Sequence, residues 1–275
     1  MRIKEIFWML GLRPKIKTYG TKKTYTTLPV DGNIEVSQWL HPKAGVSIPD
    51  QREVEELRKF LKPGDVCLDI GAYIGDTAIP MALAVGVEGA VLAFEPNKYV
   101  YKVLEENTKL NVDKTRIIPL NFAATPDDAE MEFEYSDSGF CNGGFHENMS
   151  KWSHGHAFKL KVKGKNVYKF LQTEYPELIS KIKFIKVDAE GFDLSVLRSI
   201  EDMIKLVRPH IRVEVFNGSK YSYRKEMYDF FKRHNYTPLF FEGSTHYSGK
   251  EISESTDLMA KKHFDIFALP EKKQF

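Results

Sequence analysis

Short apolar runs alternate with segments of helical period through most of the chain. Val66–Ile70, Ala90–Phe94, Arg116–Phe122, Phe184–Val187 and Ile211–Phe216 are apolar along their length, which predicts buried strands. Between and after them, Thr77–Val85, Lys98–Leu110, Tyr168–Tyr175, Leu194–Ile200 and Arg224–His234 place apolar residues at helical spacing. Strands that are apolar on both faces and separated by helices require a parallel sheet covered on both sides and joined by right-handed crossovers. The fold class is therefore α/β and doubly wound.

Two stretches break this rhythm. Thr237–Phe241 and Phe264–Leu269 are both strand-like with no strong helix between them, which predicts an antiparallel pair closing one edge of a seven-stranded sheet. Met131–Tyr135 and Phe158–Val162 alternate like a hairpin around the long segment 136–157, and an irregular insertion of that kind is a functional loop or a disordered one.

Ahead of the first strand, Gln51–Leu61 puts Val54, Leu57, Phe60 and Leu61 on one helical face before Pro63-Gly64 ends it. We divide the chain into an extension, 1–62, whose helix packs on the core, and a domain, 63–275, with an insertion at about 130–163. Met1–Leu12 carries Ile3, Ile6, Phe7 and Leu10 at helical spacing but lacks the apolar core of a signal peptide or membrane span. A helix packed on its own domain is expected there, with peripheral membrane contact as the alternative.

Composition narrows the partners. Forty Lys+Arg against 38 Asp+Glu give a formal charge of +2, too small a field to mark nucleic acid or an acidic membrane as the main partner. Only two cysteines occur, so no disulfide framework is expected and a cytoplasmic location fits.

In open α/β sheets ligands bind outside the carboxyl ends of the strands, so the residues after each strand matter most. The first strand runs into Asp69-Ile70-Gly71-Ala72-Tyr73-Ile74-Gly75-Asp76, a turn whose glycines let backbone approach a nucleotide-like ligand. Three residues separate Gly71 from Gly75, so this is not the G-x-G-x-x-G of dinucleotide enzymes, and the acid at Asp69 suits a cationic amino-acid end better than a pyrophosphate. The second strand ends in Phe94-Glu95-Pro96, where a carboxylate can accept from both ribose hydroxyls. Solvated strand ends and helix caps are the competing explanation for each acid alone.

These motifs, LDIGAYIGDTA, LAFEPN, NFAAT, IKVDAEGFDLSVL and HIRVEVF, in this order, resemble those of the FkbM family of methyltransferases over roughly residues 52–270. The resemblance implies a Rossmann-like class I methyltransferase fold and S-adenosyl-L-methionine as cofactor, leaving S-adenosyl-L-homocysteine as product. It implies that Asp69, Gly71, Tyr73 and Gly75 surround the methionine portion, Glu95 the ribose, and Asn121 to Ala123 the adenine edge, with Asp188 beside the transferable methyl. One departure is Tyr73, where the family more often carries Asn. The acceptor it implies is a hydroxyl on a carbohydrate, a glycan or a glycosylated small molecule.

Methyl transfer to a hydroxyl needs an aligned acceptor and a group that takes its proton. Asp188, Glu190, Glu214 and one of His146, His154 or His156 are the candidate bases, His156 being the one we assign with the three acids. Asp188 beside Glu214 would form a pair of carboxylates with one raised pKa; a divalent ion such as magnesium held by the same acids is the rival arrangement. Glu190 also reads as an acid at a helix N-terminus. The insertion, with Phe140, Asn142, Phe145, Trp152, His154 and His156, suits a sugar ring or simply packs back on the domain.

Three other functions compete. A nicotinamide-dependent oxidoreductase would use a similar turn, but with the missing glycine spacing. A nucleic-acid methyltransferase would carry an N-P-P-Y tetrad where this chain has Asp188-Ala189-Glu190, whose charges repel phosphates. A non-catalytic glycan-binding domain would have no need of acids at Asp69, Glu95 and Asp188 together.

Overall fold

The computed structural model describes residues 15–135, 137–141, 143–144 and 158–271. The helix expected over Met1–Leu12 and the residues His146, Trp152, His154 and His156 lie outside the described residues.

In chain order the elements are β1 (Thr21–Leu28), β2 (Gly32–Trp39), α1 (Gln51–Arg58), β3 (Val66–Ile70), α2 (Ala78–Val85), β4 (Ala90–Phe94), α3 (Lys98–Thr108) and β5 (Ile117–Leu120). The chain follows with β6 (Ala123–Ala124), β7 (Ala129–Tyr135), β8 (Gly143–Gly144) and β9 (Phe158–Lys165). The chain then continues through α4 (Val167–Glu174), α5 (Pro176–Ile179), β10 (Ile182–Val187), α6 (Asp193–Ser199), α7 (Glu201–Val207), β11 (His210–Val215), α8 (Tyr221–Arg233), β12 (Tyr236–Phe240), a 3-10 turn (Ser255–Met259) and β13 (Phe264–Pro270).

The central sheet has seven strands in the order β12-β13-β11-β10-β3-β4-β5. β3, β4, β5, β10 and β11 run parallel, and β13 is antiparallel to both β11 and β12. The antiparallel edge expected from sequence is present, with β13 inserted between β11 and β12. Every residue of β3 and β4 is buried, as a strand covered on both faces requires. α2 is buried at every position, so it reads as a uniformly apolar helix embedded between sheet and α1.

β7 and β9 form the expected hairpin, pairing Met131 with Val162 and Tyr135 with Phe158 within a four-stranded sheet β6-β9-β7-β8. Alternate residues Phe158, Leu160 and Val162 point inward and pack with Ala123, Tyr135 and Phe140.

The extension holds a hairpin that the hydrophobic pattern does not reveal, because β1 is TKKTYTTL and mostly unburied. It is fastened from outside. Asn107 on α3 accepts from Ser37 N (2.7 Å) and donates to Ser37 O (3.0 Å), while Asn111 does the same for Glu35 N (2.8 Å) and O (2.9 Å). Two side-chain amides, one on α3 and one just past its end, thus stand in for a neighbouring strand along the free edge of β2. Asn107 also donates to Ile74 O (2.8 Å), tying the hairpin to the turn after β3.

Candidate active site

The carboxyl ends of five adjacent strands, β11, β10, β3, β4 and β5, open onto one cavity of ≈ 430 Å³. That volume falls in the range of roughly 300–1,000 Å³ typical of small-molecule sites, at the place an α/β sheet offers one.

The turn after β3 is shaped by close packing. Gly71 has φ 81°, and a Cβ there would stand 2.0 Å from the carbonyl oxygen of Asp188. Glycine alone allows both the backbone angle and the approach. Gly71 N and Ala72 N donate to Phe94 O (3.0 and 2.9 Å), and Gly75 N donates to Ala72 O (2.7 Å). Tyr73, at φ 48°, donates its N–H to Glu95 Oε2 (3.1 Å). Glu95 is buried, its Oε1 accepting from Asn97 N (2.7 Å). Burial pushes its carboxyl up to about 8 against the pull of those two backbone donors.

Of the residues expected around a cofactor, Gly71, Tyr73, Glu95, Ala123 and Asp188 line the cavity. Asp69, Gly75 and Asn121 do not. Asp69 is fully buried behind the wall, where Oδ2 accepts from Thr77 Oγ1 (2.7 Å) and Oδ1 lies 3.4 Å from Lys186 Nζ. Gly75 turns the chain beneath Leu104. Asn121 is exposed and donates to Glu95 O (2.7 Å), holding the end of β5 to that of β4.

At the end of β10 the chain reads Lys186, Asp188, Glu190, with the loop clamped from behind. Asp193, fully buried at the start of α6, accepts from Ala189 N (2.8 Å) and Gly191 N (3.0 Å). The clamp holds Glu190 at φ 51° and Gly191 at φ 94°, so Asp188 and Glu190 both border the cavity. Glu190 is open to that concave space, where surrounding protein withholds bulk water; this desolvation and the neighbouring Asp188 charge push its carboxyl up to about 7.

Lys186 is a residue the sequence reading missed. Its ammonium donates to Gly71 O (2.9 Å) and lies 3.4 Å from Asp69 and 3.3 Å from Asp188. Burial opposes its charge, but Asp188 and Asp69 outweigh burial and hold it above the ordinary lysine range. A lysine amid the apolar residues of β10 was the available signal, since buried lysines are almost always paired.

Glu214 does not line the cavity. Its Oε2 is buried without a hydrogen-bond partner and Oε1 lies 3.5 Å from His263 Nε2. Burial and the charges of Asp188 and Asp193 push it up to about 9. Arg212 on the same strand does border the cavity, as do Asp76 and Thr77, and sequence reasoning assigned none of the three. The Tyr73 hydroxyl, 3.8 Å from Cys141 Sγ, is raised further above its usual range by burial and stays protonated.

Among the described residues, no three His, Cys, Asp or Glu side chains group closely enough to hold a metal ion. No helix among them is long and apolar enough to cross a membrane.

The model of the methyltransferase FkbM domain matches residues 69–238. Among solved structures, a methyltransferase FkbM from Methylobacillus flagellatus KT is 13% identical with a TM-score of 0.45, over 75% of this chain and 44% of that one. This chain thus spans less than half the length of that protein. A precorrin-6y C5,15-methyltransferase from Geobacter metallireducens GS-15 is 11% identical (TM-score 0.43; 83% of this chain, 92% of that one). A SAM-dependent O-methyltransferase from Thermotoga maritima is 12% identical (TM-score 0.38; 84% and 69%). No curated protein matches the chain.

Proposed function

The chain belongs to the FkbM methyltransferase family, and from that premise we propose that it methylates a hydroxyl of a carbohydrate or glycosylated small molecule, using S-adenosyl-L-methionine. The observation that carries this is the convergence of Gly71, Glu95, Asp188 and Glu190 on one cavity. The residues fit the cofactor: a glycine turn without room for a side chain, a buried carboxylate for the ribose, and Asp188 with Asp76 for a cationic amino-acid end. When bound, the cofactor supplies an electrophilic methyl group on a positively charged sulfur.

The three carboxylates proposed for catalysis divide by environment. Asp188 faces the Lys186 ammonium at 3.3 Å and serves to orient. Glu214, raised to about 9 and off the wall, is protonated at neutral pH and is a poor base there. Glu190 borders the cavity and titrates at about 7, where a base combines the ionised form with real proton affinity. We assign the acceptor's proton to Glu190. Tyr73 and Phe192 flank the same cavity and give a sugar ring flat faces to lie against.

The test is transfer of labelled methyl from S-adenosyl-L-methionine to a panel of mono- and oligosaccharides, followed across pH. Turnover in the wild type should rise with pH through about 7 as Glu190 ionises, and Glu190→Gln should lose both the turnover and the rise. Labelling of amine, thiol or nucleic-acid controls run beside the saccharides, with none of the saccharides labelled, would overturn the carbohydrate assignment.

A further inference from the structure

Arg212 sits at mid-sheet on β11, in register with Lys186 on β10 and through it with Asp69 on β3. Its Nε donates to Asp265 Oδ2 (2.7 Å), and its guanidinium lies over the Phe241 ring, 4.3 Å from the centroid. These contacts fix the side chain through Nε and the face of the guanidinium; Nη1 is sealed inside the protein, and among the described residues Nη2 makes no hydrogen bond. The buried Tyr247 hydroxyl faces the guanidinium. A buried guanidinium with open donors leaves a desolvation cost unmet, and Arg212 borders the cavity.

The other donors at this end are already committed. The N–H groups of Gly71, Ala72, Tyr73 and Gly75 all have partners within the protein. Thr77 Oγ1 donates to Asp69, and Thr77 N serves Asp76. Among the described residues lining the cavity the cations are Lys43, Lys186 and Arg212. Lys43 faces Asp137 at 3.5 Å, and Lys186 is enclosed by Gly71 O, Asp69 and Asp188. Arg212 is the cation left with an uncommitted nitrogen, Nη2.

The strand order β5-β4-β3-β10-β11 puts Arg212 at the opposite end from Ala123, with Glu95 and Asp188 between. That order follows the order of groups in S-adenosyl-L-methionine: base, ribose, sulfonium, amino acid. The last of these carries the only anion of the molecule. Resting on the cofactor assignment above, we propose that Arg212 binds the α-carboxylate of the cofactor's amino-acid end through Nη2, the guanidinium nitrogen left without a hydrogen bond.

The experiment is a cycle of two proteins and two compounds, read by calorimetric titration. S-adenosyl-L-homocysteine and its decarboxylated analogue, S-(5′-adenosyl)-3-thiopropylamine, are titrated into wild type and Arg212→Gln. Wild type should bind the decarboxylated compound about 10- to 100-fold more weakly, the range of a charge-assisted hydrogen bond. Arg212→Gln should lose that much affinity for S-adenosyl-L-homocysteine and none for the analogue, so that the preference vanishes. Equal losses for both compounds, or no loss, would overturn the proposal. If Arg212→Gln does not fold, for want of the Asp265 pair, the wild-type comparison and Arg212→Lys decide. Absence of a wild-type preference then rules the contact out. Failure of wild type to bind S-adenosyl-L-homocysteine at all marks the cofactor assignment itself as wrong, a different outcome from binding without preference.

Discussion

At the ends of β3 and β4 nearly every polar group is committed within the protein, whereas along β11 and in the loop after β10 several are left open. Glu95 accepts two backbone N–H groups and Gly71 and Ala72 share Phe94 O, so this half is a fixed seat. Across the cavity, Arg212 borders the space with Nη2 outside any hydrogen bond, Glu190 borders it in a left-handed backbone conformation, and behind that wall Glu214 Oε2 is buried without a partner. A preorganised wall holds a ligand; unpartnered and pKa-shifted groups opposite it are where chemistry or recognition is placed.

The sharpest way to break the contrast is to perturb the seat at Gly71. Gly71→Ala places a Cβ 2.0 Å from Asp188 O at φ 81°, and strain from the backbone angle alone is about 1–3 kcal/mol. The clash adds to it and separates the two halves of the cavity. Thermal unfolding should shift down markedly and S-adenosyl-L-homocysteine binding should vanish; retained affinity would mean that the close packing is dispensable. On the opposite wall, Glu190→Gln should leave that affinity within about twofold and lower kcat by about 10²–10⁴, the usual span for a general base. A parallel drop in affinity would make Glu190 part of the seat.

Asn107→Ala removes three hydrogen bonds from a buried amide, costing about 1–3 kcal/mol. Because it joins β2 to the turn after β3, a fall in Tm accompanied by weaker cofactor binding would extend the fixed seat to the hairpin. A fall in Tm alone would confine the effect to stability.

A further test varies the pH. Glu214 is raised from an unfolded value of 4.5 to about 9, so its contribution to stability is present below pH 4.5 and lost as pH rises through about 9. The Tm of wild type should therefore decline more steeply between pH 5 and 9 than that of Glu214→Gln. Matching slopes would show that Glu214 is not held protonated.

The parallel core was legible because burial on both faces leaves strands such as VCLDI and AVLAF with little choice of residue. The β1–β2 hairpin was not, since its β1 residues are largely polar and its hold on α3 runs through Asn107 and Asn111, which no periodicity marks. Likewise Glu95 and Asp188 were legible at strand ends, where the fold class locates ligands. Asp69 is identified by its position along the strand, but only packing shows that it is fully buried and absent from the cavity lining. Lys186 and Arg212 lie within strands rather than at their ends, so their role depends on which strands become neighbours.

The most direct test of the central claim is calorimetric titration of S-adenosyl-L-homocysteine, with NADH as the control, into wild type and Glu95→Ala. The account predicts binding of S-adenosyl-L-homocysteine but not NADH by wild type, weakened in Glu95→Ala by the loss of a buried carboxylate at the cavity wall. Binding of NADH, or S-adenosyl-L-homocysteine affinity untouched by Glu95→Ala, would contradict it.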